Sequence, residues 1–166
     1  MAIHYRRPEK TMIYLYRRNL DEPGAANEPE YLLLKRSQSQ AGHIWQPVVG
    51  AAQWDEELIE SARREVFEET GVTRLQGLMA VGYAFSFVFR FSGQESHYPP
   101  DAKTIRNIVF AAQVGDKQQI ALSDEHIDYG WFPYRDALDK LHWPEDKKAL
   151  IQLHPLLHQT QTTGRV

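Results

Sequence analysis

With 166 residues, 42% of them hydrophobic and 25% charged, the chain has the composition of a soluble globular protein and the length to bury one core. Wholesale disorder is excluded, and a single domain over 1–166 with a frayed tail from about residue 159 is expected. A formal net charge of −3 offers no basic footprint for long nucleic acid, no apolar run approaches a membrane span, the polar N-terminus is unlike a signal peptide, and the lack of cysteine removes disulfides and thiolate chemistry, which together point to the cytoplasm.

The β-prone run Met12-Ile13-Tyr14-Leu15-Tyr16 predicts a first strand between Lys10 and Arg18, and Tyr31 to Arg36 a second. Residues 19–29, rich in Pro, Gly and Asn, read as the loop of a hairpin. Residues 37–42 are loop, and His43 to Gly50 reads as one short strand. A helix is predicted from Glu56 to Thr70, with Asp55 as its cap, acidic residues in its first turn and Gly71 as a left-handed stop. Leu58, Ile59, Ala62 and Val66 recur at spacings of three and four and give it an apolar face. Leu75 to Phe91 forms a long β-type segment in which Gly82 marks a bulge or bend, and the alternation of Phe85, Phe87, Phe89 and Phe91 predicts one buried face. Ser92 to Lys103 is a loop holding His97 and Tyr98, and Thr104 to Val114 is the next strand. Ser123 to His126 forms a loop before Trp131. A short helix over Pro133 to Leu141 follows, then a closing helix over Pro144 to His158, broken or bent near Pro155. No internal repeat is present.

Glu65, Glu68 and Glu69 stand at i, i+3 and i+4, the spacing that stacks side chains on one helical face. Like charges so placed destabilise a helix by roughly 0.2 to 0.5 kcal/mol per pair, so a compensating partner is expected. Two readings are open from these residues alone: a site for a hard divalent cation with oxygen ligands, and a solvated acidic face.

The wider stretch decides between them. Gly50, five residues, Glu56, seven residues, then Arg64-Glu65-Val66-Phe67-Glu68-Glu69-Thr70-Gly71-Val72 resembles the Nudix box at every position. Its seven fixed identities would arise by chance on the order of once in 10⁸ start positions. The resemblance implies the α/β/α Nudix sandwich with a mixed β-sheet. It also implies hydrolysis of a nucleoside diphosphate linked to another moiety, using Mg²⁺ or Mn²⁺. Carried over to this chain, Glu65, Glu68 and Glu69 would bind metal, the Gly50 region would offer a backbone carbonyl, and Arg64 would pair with Glu56 to brace the loop. Water attacking phosphorus needs its proton accepted; Glu65 or a carboxylate on a later loop would do this.

Further positions are candidates on the same resemblance. Glu125 would complete the metal shell or act as base; the competing reading for it and its neighbour Asp124 is a helix cap or solvated turn. Arg36, at the end of the second strand, would reach substrate phosphates, against the alternative of a surface cation. Trp45 would stack on a base and Gln46 would bond a base edge or phosphate, against the alternative that Trp45 caps the core. A looser similarity to the dihydroneopterin triphosphate diphosphatase branch rests on His97-Tyr98-Pro99, Arg106-Asn107, Phe110-Ala111, Ser123 to His126 and Gly130-Trp131-Phe132. It adds Tyr98 and Arg106 to the substrate-binding candidates. The chain departs from that branch after Asn107, where Ile108-Val109-Phe110 replaces a Thr-Glu-Ser-Trp-Phe run and its acidic residue. The expected function is a Mg²⁺-dependent pyrophosphohydrolase acting on a nucleoside triphosphate or dihydroneopterin triphosphate. The alternatives are a diadenosine polyphosphate or other linked nucleoside diphosphate as substrate, and a non-catalytic sensor. The expected partner is a small phosphorylated substrate, with no long nucleic acid and no membrane, and the protein a monomer or homodimer.

Overall fold

The computed structural model describes residues 4–19, 28–37, 42–88 and 97–159. Its elements, in chain order, are β1 (Glu9–Arg17), β2 (Glu30–Arg36), β3 (Ile44–Gln46), β4 (Val48–Ala51), α1 (Leu58–Thr70), β5 (Gln76–Val88), β6 (Thr104–Gln113), β7 (His126–Pro133), α2 (Tyr134–Lys140) and α3 (Pro144–Gln159). The strands form one seven-stranded mixed sheet, in which β1 and β6 run parallel and the other pairs antiparallel. Strand alternation sorts the core into two layers. Ile13, Leu15, Leu32, Leu34, Phe110 and Ala112 pack against Ala62 and Val66 of α1. Met12, Tyr14, Tyr31, Leu33, Val109 and Ala111 pack on the other face against Ala137 of α2 and Ala149, Leu150, Leu153 and Leu157 of α3. Each fully buried aliphatic side chain contributes about 1.5 to 3 kcal/mol, so both layers are needed to hold the sheet. The expected α/β/α sandwich is therefore the fold.

The site is positioned by a parting of β1 and β2. They are in register at Tyr16 with Tyr31 and Arg17 with Glu30. Beyond that point β3 takes the edge of β2, pairing residues 44–46 with 34–36, and β4 takes the edge of β1, pairing 48–51 with 10–13. The single strand expected over His43 to Gly50 is thus two. Pro47 separates them: it has no N–H to give a ladder, and the chain changes partner there. Gly50 comes to lie opposite Thr11, and Ala51 opposite Lys10.

Other differences from expectation have local causes. α1 begins at Leu58 with Glu57 as its N-cap residue, not at Glu56 with Asp55 as cap. The Glu56 side chain is held outside the helix by Arg64 and by the Gln53 N–H, so the turn is closed from the side. Gly71, at φ 71°, ends the helix as expected. Ile59 is exposed, whereas Ala62 and Val66 are buried. In β5 the ladder shifts register between Ala80 and Ala84 around Gly82, at φ 80°, which is the expected bulge. Phe85 packs on the core but Phe87 is exposed, and Phe89 and Phe91 lie outside the described residues. β7, absent from the sequence-based expectation, pairs with β2 along its whole length. α3 runs through Pro155 without a break to Gln159, so the first residue of the tail expected to fray from 159 is helical, and 160–166 lie outside the described residues. No helix among the described residues is long and apolar enough to cross a membrane.

Asp146 in the first turn of α3 gives the fold a pH signature. Its carbonyl accepts the Tyr14 hydroxyl at 2.7 Å, and burial, with Glu145 adding, pushes its carboxyl from 3.8 up to about 7. Between pH 4 and 7 the folded chain therefore holds a proton that the unfolded chain has released, and stability falls as pH rises through that window. The penalty above it is at most ~4 kcal/mol, offset in part by the helix N-terminus, which favours an anion. Asp146→Asn is expected to raise the melting temperature by several degrees at pH 8 and by much less at pH 4.5, as read by calorimetry. A shift independent of pH would contradict this.

Candidate active site

Arg64 organises the start of α1. Its Nε and Nη2 donate to Glu56 at 3.1 and 2.7 Å, Nη2 also donates to the Ala51 carbonyl at 3.0 Å, and Nη1 donates to Glu65 at 2.7 Å and Glu68 at 3.1 Å. The fork geometry of a guanidinium permits this; one cation ties β4, the loop and the helix together. The Glu56 carboxyl is held down to about 2, first by its hydrogen bonds from Arg64. Arg7 adds a second brace, donating through Nη1 to the carbonyls of Gln53 and Glu56 at 3.2 and 3.0 Å and through Nε to Glu9 at 2.7 Å.

Glu65 is buried against β4. A Cβ built on Gly50 would overlap its carboxylate group, so only glycine leaves room for that carboxylate beside the strand. Burial pushes the Glu65 carboxyl up, with Glu68 and Glu69 adding to the rise and Arg64 opposing it. Gly50→Ala is expected to displace Glu65 and lower turnover on the order of 10²-fold with secondary structure retained, measured as kcat alongside circular dichroism. Unchanged turnover would show that this close approach is not needed.

Glu69, one turn on, is bound from β7. His126 Nδ1 lies 2.6 Å from its Oε2, and the Ser123 hydroxyl donates to the same oxygen at 3.0 Å. Burial alone would raise the Glu69 carboxyl, but the bonds from His126 and Ser123, together with the charge of Arg36, hold it below the ordinary value. His126 Nε2 is buried and without a partner among the described residues. Glu125 is exposed, and its carbonyl accepts both the N–H and the hydroxyl of Ser37 at 3.0 Å, which pins its turn beside the end of β2. Arg36 is exposed there and is in register with Ile44 of β3 and His126 of β7. Lys10 enters the same group from β1: burial lowers its ammonium, with Arg36 and Arg6 acting the same way and Glu65 and Glu125 opposing them.

The sequence-based candidates Gly50, Glu56, Arg64, Glu65, Glu68, Glu69, Arg36 and Glu125 therefore gather around one end of the parted strands. No three of Glu65, Glu68, Glu69 and Glu125 bring ligand oxygens within 4.8 Å of one another among the described residues. Three of them are turned to protein donors: Glu65 and Glu68 to Arg64, Glu69 to His126 and Ser123. Gln46 is buried in register with Leu34, on the α1 face, and Arg106 is exposed on β6 opposite Glu9. Trp45 is not brought into the group. In register with Lys35, it packs on the α2 side, its ring edge to face with Phe132 at 5.4 Å and flanked by Lys35 and Lys140. Tyr98 is 1% exposed, beside Arg6, and offers no open ring face. A concavity lined by Arg74, Asp116 and Lys117 lies beyond the opposite end of β1 and holds none of these residues.

Sequence reasoning missed Lys10, His126 and Arg7 as members of the site. His126 had one signal, its place beside Glu125. Lys10 and Arg7 had none, because their role depends on which strand lies next to them.

A sequence model of the NUDIX domain matches residues 19–153. The chain belongs to the Nudix family. It is a Nudix hydrolase. It is 30% identical over 149 residues, 89% of this chain and 94% of the relative, to the mouse bis(5'-nucleosyl)-tetraphosphatase (asymmetrical). The fold is similar to that of the E. coli dihydroneopterin triphosphate pyrophosphohydrolase, with a TM-score of 0.71, 22% identity and coverage of 92% of this chain and 98% of that one. A C. elegans Ap4A hydrolase aligns with a TM-score of 0.69, 22% identity and coverage of 91% and 98%. Nudix hydrolases generally use divalent metals. The donor set here, carboxylates on one helical face and a backbone carbonyl beside a glycine cradle, suits a hard cation with oxygen ligands.

Proposed function

We propose that this Nudix hydrolase cleaves a phosphoric anhydride bond of a small nucleoside polyphosphate, with Mg²⁺ or Mn²⁺ held by Glu65, Glu68, Glu69, Glu125 and the Gly50 carbonyl. The observation that supports it is that two cations at the parted end of β1 and β2 act on the charges of these carboxylates, Lys10 with Glu65 and Glu125 and Arg36 with Glu69. When bound, the metal supplies charge that neutralises phosphate oxygens and lowers the pKa of water. Arg36 binds the phosphates through its fork, and Lys10 binds them as a point charge held in place by burial. Glu65, whose basicity burial raises, accepts the proton of the attacking water. Glu69 is oriented by His126 and Ser123, and Arg64 with Glu56 fixes the loop that carries the Gly50 carbonyl. Gln46 and Arg106 share the α1 face and contact the remainder of the substrate. Trp45 and Tyr98 are left out of this assignment because their rings are engaged by the protein itself.

Two substrate classes fit. A nucleoside triphosphate or dihydroneopterin triphosphate would yield the monophosphate and pyrophosphate. A dinucleoside tetraphosphate would yield a tri- and a monophosphate, and this reading is the better supported. It draws on the 30% identity to the mouse tetraphosphatase and on the missing acidic run after Asn107. Incubation with dATP, dihydroneopterin triphosphate and diadenosine tetraphosphate, with product identification, separates them. The highest kcat/KM is expected for diadenosine tetraphosphate, giving ATP and AMP. For Lys10→Met, KM is expected to rise on the order of tenfold with a smaller change in kcat, as for the loss of one charge-assisted contact. No hydrolysis of any of the three with Mg²⁺ or Mn²⁺ would overturn the proposal.

A further inference from the structure

At the other end of β1 and β2, on the α3 face of the sheet, a second group of ligating side chains comes together. His154 and His158 are four residues apart on α3 and so share one helical face. Their Nε2 atoms lie 3.2 Å apart. Glu28, two residues before β2, brings Oε2 to 3.5 Å from His158 Nε2 and 3.9 Å from His154 Nε2. Two imidazole nitrogens and a carboxylate oxygen thus lie within 4.8 Å of one another. Ligands about 2.0 to 2.1 Å from a tetrahedral zinc stand roughly 3.3 to 3.4 Å from each other. The imidazole pair and the His158 to Glu28 separation already match that edge, and the exposed Glu28 side chain closes the rest by a small rotation.

The imidazoles are also oriented as ligands are. His154 Nδ1 lies 2.7 Å from the Tyr31 hydroxyl, so Nε2 is the nitrogen turned to Glu28 and His158. Its ring is stacked on Tyr134 at 3.8 Å and 5°, which fixes the plane. A hydrogen bond from the second ring nitrogen to a neighbouring group sets the tautomer and raises ligand basicity. The Arg18 guanidinium, which donates to the Leu157 carbonyl, is the nearby positive charge that opposes a cation here.

We propose that Glu28, His154 and His158 form a site for a divalent transition-metal ion of the zinc class, distinct from the box carboxylates, with a water as the remaining ligand. The two sites sort metals by donor: imidazoles suit zinc, copper or nickel, whereas an all-oxygen set suits magnesium or manganese. A metal here fastens the C-terminal helix to the start of β2 and stabilises the folded chain by mass action. The competing account of the short Nε2 separation is a single N–H···N bond between the histidines.

The test is calorimetric Zn²⁺ titration of the full chain in excess Mg²⁺, together with the melting temperature at each Zn²⁺ concentration. His158→Ala, Glu28→Gln and, as a surface control, His142→Ala are compared with the parent; His158 and Glu28 are chosen because His154 also packs on Tyr31 and Tyr134. The expected result is one Zn²⁺ fewer for His158→Ala, affinity weakened at least tenfold for Glu28→Gln, and loss of the Zn²⁺-dependent rise in melting temperature in both. The control should match the parent. Identical isotherms for the parent, His158→Ala and Glu28→Gln would overturn the proposal, as would a parent that takes up no Zn²⁺ beyond what His158→Ala binds.

Discussion

Glu68→Gln is expected to lower turnover by a factor on the order of 10² to 10⁴ while leaving the melting temperature unchanged or slightly higher. Glu68 is the outward member of the carboxylate trio, its side chain 51% exposed, and no core contact depends on its charge. The amide keeps the shape, so packing is preserved. It removes the repulsion of two like-charged neighbours at spacings of one and three residues and gives up one exposed bond to Arg64. These terms nearly cancel, because exposed ion pairs contribute little. Activity has no such cancellation, since the amide removes one of the negative charges that offset the cation and leaves a weaker ligand in place of a carboxylate. Steady-state kinetics and a thermal melt on the same preparation check both halves. A variant that loses activity only because it unfolds would contradict the account, as would one with the parent's turnover.

Arg64→Ala is expected to cost at least as much, on the order of 10²-fold or more in kcat, and to lower the melting temperature as well. The guanidinium makes five hydrogen bonds that link Ala51, Glu56, Glu65 and Glu68. Without it, Glu56 loses the hydrogen bonds that hold its carboxyl down to about 2, the loop before α1 loses its side brace, and Glu65 and Glu68 lose their shared counter-charge. Arg64→Lys should restore little of the activity, because an ammonium cannot span Glu56 bidentately while also reaching the Ala51 carbonyl. The distinguishing readout is kcat against KM for the Ala and Lys variants. Full rescue by Lys would mean that charge alone matters and that the fork does not.

The parts of the fold legible in the sequence are those set by local pattern. β1, β2 and β6 announce themselves as β-prone runs, and α1 by its three-and-four spacing and the glycine at φ 71° that ends it. The carboxylate face follows from the helical period. What escaped depends on neighbours distant in the chain. β7 contains Gly130 and mixes polar with aromatic residues, and it is a strand because β2 offers it a partner. Phe87 fits an apolar ladder but meets no covering layer among the described residues, and Ile59 lies at the margin of the apolar face of α1, where it stays exposed. Lys10 is one cation among 19 until the register sets it opposite Ala51. The pair His154 and His158 has helical spacing visible in the sequence, whereas Glu28, their third member, is supplied only by the folding of α3 onto the sheet.

The α1 carboxylates set beside Gly50 are expected to hold the divalent cation on which turnover depends. Paramagnetic titration of Mn²⁺ into the parent and into a chain carrying both Glu65→Gln and Glu68→Gln tests it most directly, because the difference cancels any uptake elsewhere on the molecule. The parent is predicted to sequester at least one Mn²⁺ more than the doubly substituted chain, and to lose that uptake in parallel with activity. Equal uptake by the two folded proteins would contradict it.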